Sequence, residues 1–201
     1  QALAARGLDF TGWEFGGIQR VLVYAVRSGG APRKSLPGVP APPNIASELA
    51  ELSLEFWRLK QYDAAVAAAR RALDFDPDFA LAYSYMGMAH KEAGDKDAAL
   101  EAFQKAVTLN PDGYPWSYIN LGMILTEMGR YDEAITALQH ALKLLPDDSW
   151  AYTCLGRAHR LRGDTQAAVE ALEKAVSLDP NDPRPGEELD AARQSITGAH
   201  P

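Results

Sequence analysis

Apolar residues recur through the second half of the chain at the spacing of a helical face. In three places an apolar residue is followed by another four positions later and a third after three more. Since an α-helix returns to the same side after three or four residues, each set predicts one buried helical face. The three sets are Ala99, Phe103 and Ala106; Ala134, Leu138 and Ala141; and Ala168, Leu172 and Ala175.

A second helical pattern precedes each of these sets and has a small residue at its centre. Small residues at such positions let two helices approach closely, so each pattern predicts the first helix of a pair. The three copies are Tyr83-x-x-Met86-Gly87, Tyr118-x-x-Leu121-Gly122 and Tyr152-x-x-Leu155-Gly156. Prolines follow the second helices at Pro77, Pro111, Pro146 and Pro180, at spacings of 34, 35 and 34 residues.

The turn within each pair carries a glycine, at Gly94, Gly129 and Gly163, which predicts a helix end in the left-handed conformation. Together with the Tyr, Leu-Gly, Ala, Phe and Pro columns, this period resembles the tetratricopeptide-repeat family over residues 46–182. The first copy is degenerate, with Ser53 in the glycine column and Ala69 in the phenylalanine column. Such a copy is expected at the end of a repeat array.

The resemblance implies an all-α fold, a right-handed α-solenoid of about four tetratricopeptide helix pairs closed by a C-terminal capping helix. A non-repeat segment precedes the repeats. We predict repeats at 46–79, 80–114, 115–148 and 149–182, a capping helix at 183–198, a Pro- and Gly-rich linker at 28–45 and a non-repeat segment at 1–27.

The non-repeat segment is unusually rich in large apolar side chains. It reads equally as a hairpin about Gly16-Gly17 or as a short amphipathic helix, and neither is stable alone in water. We expect it to dock on the repeats, on a partner, or on an upstream domain of which it is the end. The candidates for self-docking are Phe10, Trp13, Phe15, Ile18 and Leu22.

Composition and charge narrow the function classes. A net charge of −7 argues against nucleic acid as a partner, and a single cysteine, Cys154, removes multi-cysteine metal patterns. No nucleotide-binding, metalloprotease or nucleophile-elbow motif occurs, so we expect no enzyme activity, no metal and no cofactor. No apolar stretch is long enough to span a bilayer. A cytoplasmic location is expected, with a periplasmic or membrane-complex setting as the alternative because the chain opens at Gln1.

In the family, the first helix of each repeat lines a concave groove that receives a peptide. Trp116 and Trp150 share one column there and are the leading anchor candidates, although packing between repeats explains them equally well. The groove residues predicted by this correspondence are Leu54, Trp57, Arg58, Leu81, Tyr85, Met88, Lys91, Trp116, Ile119, Asn120, Met123, Trp150, Arg157 and Arg160.

Chaperone-binding members of the family hold the C-terminal carboxylate of their ligand with a clamp of basic and asparagine residues. Only Asn120 falls in a matching column of this sequence, so an apolar or mixed peptide is the expected ligand. The predicted function is a protein-interaction scaffold whose partner is another protein or its own N-terminal segment. The alternative is the repeat portion of a larger enzyme or membrane-complex subunit, in which residues 1–27 belong to the preceding domain.

Overall fold

The computed structural model describes residues 45–197, and every regular element within that range is an α-helix. The predicted non-repeat segment, with its candidates Phe10 to Leu22, and the linker as far as residue 44 lie outside the described residues. The helices are α1 (Ile45–Arg58), α2 (Tyr62–Phe75), α3 (Ala80–Glu92), α4 (Lys96–Leu109), α5 (Pro115–Glu127), α6 (Tyr131–Leu144), α7 (Ser149–Arg162), α8 (Thr165–Leu178) and α9 (Pro183–Thr197). Among them, none is long and apolar enough to cross a bilayer.

The second helix of each pair ends where the repeated proline predicts. Helices α2, α4, α6 and α8 each stop two residues before a proline, for example at Phe75 before Pro77. Proline lacks a backbone N–H and disfavours the α conformation of the residue before it, so it is tolerated in the first turn of a helix but opposes continuation of a helix that is already formed. The prolines therefore fix the repeat period in the structure.

The turns inside the pairs share one hydrogen-bond pattern. In the turn of the fourth pair, between α7 and α8, Gly163 has φ +98°, and the N–H of Asp164 donates to the carbonyl oxygen of His159 at 2.9 Å. The first pair makes the same turn with Lys60, which has φ +59° although it carries a side chain. An L-residue in this region is disfavoured by about 1–2 kcal/mol. The degenerate first repeat thus keeps the family turn at a steric cost.

The described chain divides into two compact units, and residues 45–95, with α1 to α3, form the first. Its core contains Leu49 and Phe56 of α1 and small residues of α2 and α3. Ser53 is fully buried, and its hydroxyl donates to the carbonyl oxygen of Ala65 in α2 at 2.8 Å. A serine is therefore accommodated in the glycine column, because the residue occupying the phenylalanine column of this repeat is the small Ala69.

Residues 96–197, with α4 to α9, form the second unit. Here the glycines of the first helices lie directly against leucines of the second helices: Gly122 faces Leu138, and Gly156 faces Leu172. At the C-terminal end, Leu189 and Ala192 of α9 pack on Ala168 and Leu172 of α8. Helix α9 therefore covers the apolar face that the last pair would otherwise expose.

Helix α7 begins with a side-chain cap that gives a testable contribution to stability. The carboxylate of Asp148 accepts a hydrogen bond from the N–H of Ala151 at 2.6 Å. We expect Asp148→Ala to lower the free energy of unfolding by about 1 kcal/mol, because an N–H of the first turn loses its acceptor. Chemical denaturation of the two proteins measures this difference. The neighbouring exposed Asp147 is the control, and its replacement by alanine should change stability by less than about 0.5 kcal/mol.

Candidate ligand-binding cleft

The second unit contains a cleft of about 360 Å³ between the first helices of its two complete pairs and the capping helix. Helix α5 lines one side, α7 forms the middle, and α9 closes the other side. Residues from three helices that are far apart in sequence therefore meet in one concavity. The lining residues are Met123, Thr126, Glu127, Trp150, Thr153, Cys154, Arg157, Arg160, Arg184, Glu187, Glu188 and Ala191.

Much of the lining is apolar or has its polar groups occupied. Trp150, Met123 and Cys154 present ring, thioether and thiol groups, and Cys154 is buried. Two threonines lie among them, but the hydroxyl of Thr126 donates to the carbonyl oxygen of Gly122 at 2.7 Å within its own helix. Thr153 makes the equivalent bond to Ser149 at 2.8 Å. Since both hydroxyl protons are used inside the helices, this part of the cleft suits an apolar side chain.

One edge of the cleft is built from two arginines of α7 and a glutamate of α9. Both Nε and Nη2 of Arg160 donate to Oε2 of Glu188, at 3.0 and 2.8 Å. Nε of Arg157 lies 3.7 Å from the other carboxylate oxygen, Oε1. The side chains of Arg160 and Glu188 are 26% and 23% exposed, whereas that of Arg157 is 52% exposed. A single carboxylate thus lies between two guanidinium groups.

A third arginine covers the tryptophan. The guanidinium carbon of Arg184 lies 4.3 Å from the ring centroid of Trp150, which is the geometry of a cation–π contact. Arg184 is oriented by Asp182, whose carboxylate accepts its guanidinium Nη2 at 2.7 Å. The side-chain hydrogen bond from Arg184 is the largest cause of a lowered pKa of Asp182, and a bond from the backbone N–H of Arg184 is the second. The side-chain bond to Asp182 likewise raises the pKa of Arg184. Asp182 is therefore held as the carboxylate that this contact needs.

The structure places the predicted groove residues of the second unit in different settings. Met123, Trp150, Arg157 and Arg160 line the cleft together. The other three predicted positions are not among the lining residues: the ring of Trp116 tilts against Tyr114 at 5.9 Å between centroids, Asn120 donates to the carbonyl oxygen of Trp116 at 2.9 Å, and Ile119 is buried in the interior.

The predicted groove residues of the first unit lie on α1 and α3. Trp57 and Tyr85 pack against the core of that unit, and Nε1 of Trp57 is buried without a hydrogen-bond partner among the residues described. Arg58 is exposed and pairs with Glu55 at 2.5 Å, and Nζ of Lys91 lies 3.5 Å from Glu92. The remaining positions, Leu54, Leu81 and Met88, are half-buried.

Four lining residues come from the capping helix, for which the sequence predicts only a covering role. Arg184, Glu187, Glu188 and Ala191 are spaced i, i+3, i+4 and i+7, so they form one stripe along α9. The stripe lies beside the one formed by Leu189 and Ala192. This second periodicity was the available signal that α9 contributes to a site as well as to the core. Thr126, Glu127, Thr153 and Cys154 were also missed, although they follow Met123 and Trp150 by three and four positions and so lie on the predicted faces.

The histidines of the first helices take structural positions near the turns. Nδ1 of His90 lies 3.7 Å from Asp95, and Nδ1 of His159 lies 3.4 Å from Asp164.

His140, on the second helix α6, stacks on the ring of Tyr118 with 4.2 Å between the ring centroids. The pKa of Tyr118 is raised, mainly by burial and secondly by the charge of Asp112. Within residues 45–197, no group of three or more His, Cys, Asp or Glu side chains is arranged to hold a metal ion.

Solved structures similar to this chain are repeat proteins of the same fold. A crystal structure of MamA is 28% identical, covers 69% of this chain and 75% of its own, and superposes with a TM-score of 0.62. The structure of PilF from Pseudomonas aeruginosa is 24% identical, with coverages of 76% and 69% and a TM-score of 0.69. These similarities confirm the expected all-α solenoid fold class.

Sequence comparison points in the same direction. The small glutamine-rich tetratricopeptide repeat-containing protein 2 of Mycosarcoma maydis is 35% identical over 69 residues, which is 34% of this chain and 20% of that protein. Its namesake from Saccharomyces cerevisiae is 39% identical over 54 residues, which is 27% of this chain and 16% of that protein. The chain thus matches a fifth or less of each relative. Profiles of the tetratricopeptide repeat match residues 49–79, 78–147 and 113–181, and the chain therefore belongs to the tetratricopeptide-repeat family.

Proposed function

We propose that this chain is a protein-interaction scaffold and that the cleft between α5, α7 and α9 binds a peptide segment of another protein. The observation that carries the proposal is a concave, partly apolar cleft lined by Trp150, on the side of the first helices that the family uses for ligands. Tryptophan is enriched among the residues that dominate binding energy at protein interfaces. The volume of about 360 Å³ lies at the lower end of the range for ligand pockets, which suits side chains of a peptide.

The chemistry of the lining supports binding more than catalysis. Several charged lining residues are held by close contacts: Arg160 with Glu188, Arg184 with the ring of Trp150, and Glu127 with Lys96 at 2.8 Å. The lining residues of the described chain include no histidine that could act as a base for Cys154. We therefore propose that the cleft supplies affinity and specificity and performs no reaction.

Trp150→Ala and Trp116→Ala form a matched pair that tests this proposal. We expect peptides selected from a random phage-displayed library on the wild-type chain to bind Trp150→Ala at least about tenfold more weakly, because an anchor of the cleft is lost. Trp116 is the same residue in the same repeat column but does not line the cleft, so its alanine variant should bind within about twofold. Fluorescence anisotropy measures both affinities, and thermal unfolding confirms that both variants fold. Equal losses, or no loss from Trp150→Ala, would count against the cleft.

A further inference from the structure

We infer that the peptide ligand of this cleft carries a carboxylate beside an apolar side chain, and that Glu188 occupies the carboxylate position until the ligand displaces it. The inference deepens the proposed function and rests on it, since it names the chemistry recognised by the same cleft. The partner is accordingly an acidic, partly apolar segment of another protein. The arrangement of Arg157, Arg160 and Glu188 supports this choice.

Glu188 already shows which group fits between the two arginines. Its carboxylate accepts two hydrogen bonds from Arg160 through Oε2, while Oε1 lies toward Nε of Arg157 at 3.7 Å. Each guanidinium carries five N–H donors in a fixed plane, a geometry that matches carboxylate oxygens. An aspartate or glutamate of a peptide would meet the same donors. The capping helix therefore presents, from within the chain, the group that a ligand would bring.

Arg157 makes a weaker contact with Glu188 than Arg160 does. Its distance to Glu188 is too long for a hydrogen bond, and about half of its side chain is exposed. Within the described residues, this is its one ion pair at 4 Å or less. The donors of Arg157 are thus available to a second carboxylate at the edge of an otherwise apolar cleft. At this edge, where Arg157 and Arg160 lie together, charge complementarity favours an acidic ligand group over a basic one.

Displacement of Glu188 is energetically feasible because one carboxylate replaces another. Arg160 and Glu188 belong to different helices, and both side chains are about a quarter exposed, so the released glutamate can be solvated. The exchange leaves no buried charge unpaired, which would otherwise oppose binding. The main cost of binding is that the ligand carboxylate must compete with Glu188 for the two arginines. The apparent affinity for an acidic ligand should therefore rise when Glu188 loses its charge.

This arrangement differs from the carboxylate clamp of chaperone-binding relatives. Its carboxylate, that of Glu188, comes from the capping helix, and the two arginines that face this carboxylate lie on the second half of α7. The positions at which the clamp needs basic residues hold Trp150 and Cys154 in this helix. Recognition of an internal acidic side chain is therefore expected, with no requirement for a free C-terminus.

The test compares each selected peptide with a copy in which its acidic residues are replaced by the corresponding amides. For the unsubstituted 201-residue chain, we expect the acidic peptide to bind about tenfold more tightly than its amide copy at low salt, the usual scale of one charge-assisted contact. This ratio should fall to about twofold in Arg157→Gln. It should rise several-fold in Glu188→Gln, because the competing carboxylate is gone. The preference should also weaken as the salt concentration increases.

Glu187→Gln is the matched control for Glu188→Gln, because it removes the same charge from the same helix and the same cleft lining. A general electrostatic effect would raise the ratio of acidic-peptide to amide-peptide affinity equally in both variants. Displacement of Glu188 by the ligand predicts a larger rise in Glu188→Gln. A ratio near one in the wild type, or one unaffected by Arg157→Gln, overturns the inference. If the peptides also bind Trp150→Ala at full strength, the proposed function itself fails, so the two failures are distinguishable.

Discussion

Gly156→Ala is expected to lower the free energy of unfolding by about 2–3 kcal/mol, although it adds a single methyl group and improves helix propensity. A Cβ at this position would lie 2.5 Å from Cγ and 2.9 Å from Cδ2 of Leu172, and 3.1 Å from the carbonyl oxygen of Ala168. Leu172 is fully buried, so its side chain has no free space to enter, and the carbonyl belongs to the backbone of α8. The helices must therefore separate. Chemical denaturation followed by circular dichroism measures the loss.

Gly186→Ala is the control, because Gly186 lies inside helix α9 and a Cβ there would have no atom within 4 Å. This substitution should stabilise the protein by about 0.5–1 kcal/mol, since alanine restricts the unfolded chain and favours the helix. The same chemical change thus has opposite signs at two helical glycines. A loss of less than about 0.5 kcal/mol in Gly156→Ala would show that α7 and α8 can move apart freely.

A double mutant tests whether the contact with Leu172 is the cause. Leu172→Ala alone should cost about 2–5 kcal/mol, because it leaves a cavity. Combined with Gly156→Ala, the total should be at least about 1 kcal/mol smaller than the sum, because the new methyl group fills space that the leucine vacates. The first repeat contains a natural version of this exchange, with Ser53 in the glycine column and Ala69 in the column of Leu172. Additive losses would contradict this explanation.

The fold could be predicted from the sequence because the determinants of each repeat are local and recur. The proline after each second helix, the left-handed turn residue and the small residue of each first helix act within one pair. Three or four copies in register therefore reinforce one another. Ser53 shows that the column requires a small volume and not glycine itself, since its hydroxyl finds an acceptor in α2. The repeat boundaries and the fate of residues 1–27 stay predictions.

The cleft was harder to predict, because its composition depends on contacts between residues far apart in sequence. Trp116 and Trp150 share a column, yet one neighbours Tyr114 and the other is covered by Arg184, which lies 34 positions later. The repeat columns do not separate such residues, since the difference arises from a later element of the chain that packs on one of them. For Trp150 that element is the capping helix, whose sequence does not follow the repeat. The alternative of a larger enzyme or membrane-complex subunit stays a hypothesis.

Leu189→Asp is expected to cost at least about 3 kcal/mol, because Leu189 is 7% exposed and packs with Ala192 on Ala168 and Leu172. An aspartate there would bury a charge without a partner, and α9 would detach to solvate it. The apolar face of α8 would then be exposed, so lower solubility should accompany the loss. Ser195→Asp introduces the same residue at an exposed position of the same helix, and should cost at most about 1 kcal/mol.

The same variant links stability to binding, because α9 supplies both the cover of α8 and one wall of the cleft. Detachment would remove Arg184 from the face of Trp150 and Glu188 from Arg160. We therefore expect Leu189→Asp to weaken the selected peptides by about tenfold or more at a temperature where α7 remains helical, whereas Glu188→Gln strengthens the acidic ones. If both variants bound more tightly, α9 would be only a competitor for the cleft. Weaker binding by Leu189→Asp together with tighter binding by Glu188→Gln would show that α9 forms one wall of the cleft while its Glu188 competes with the ligand.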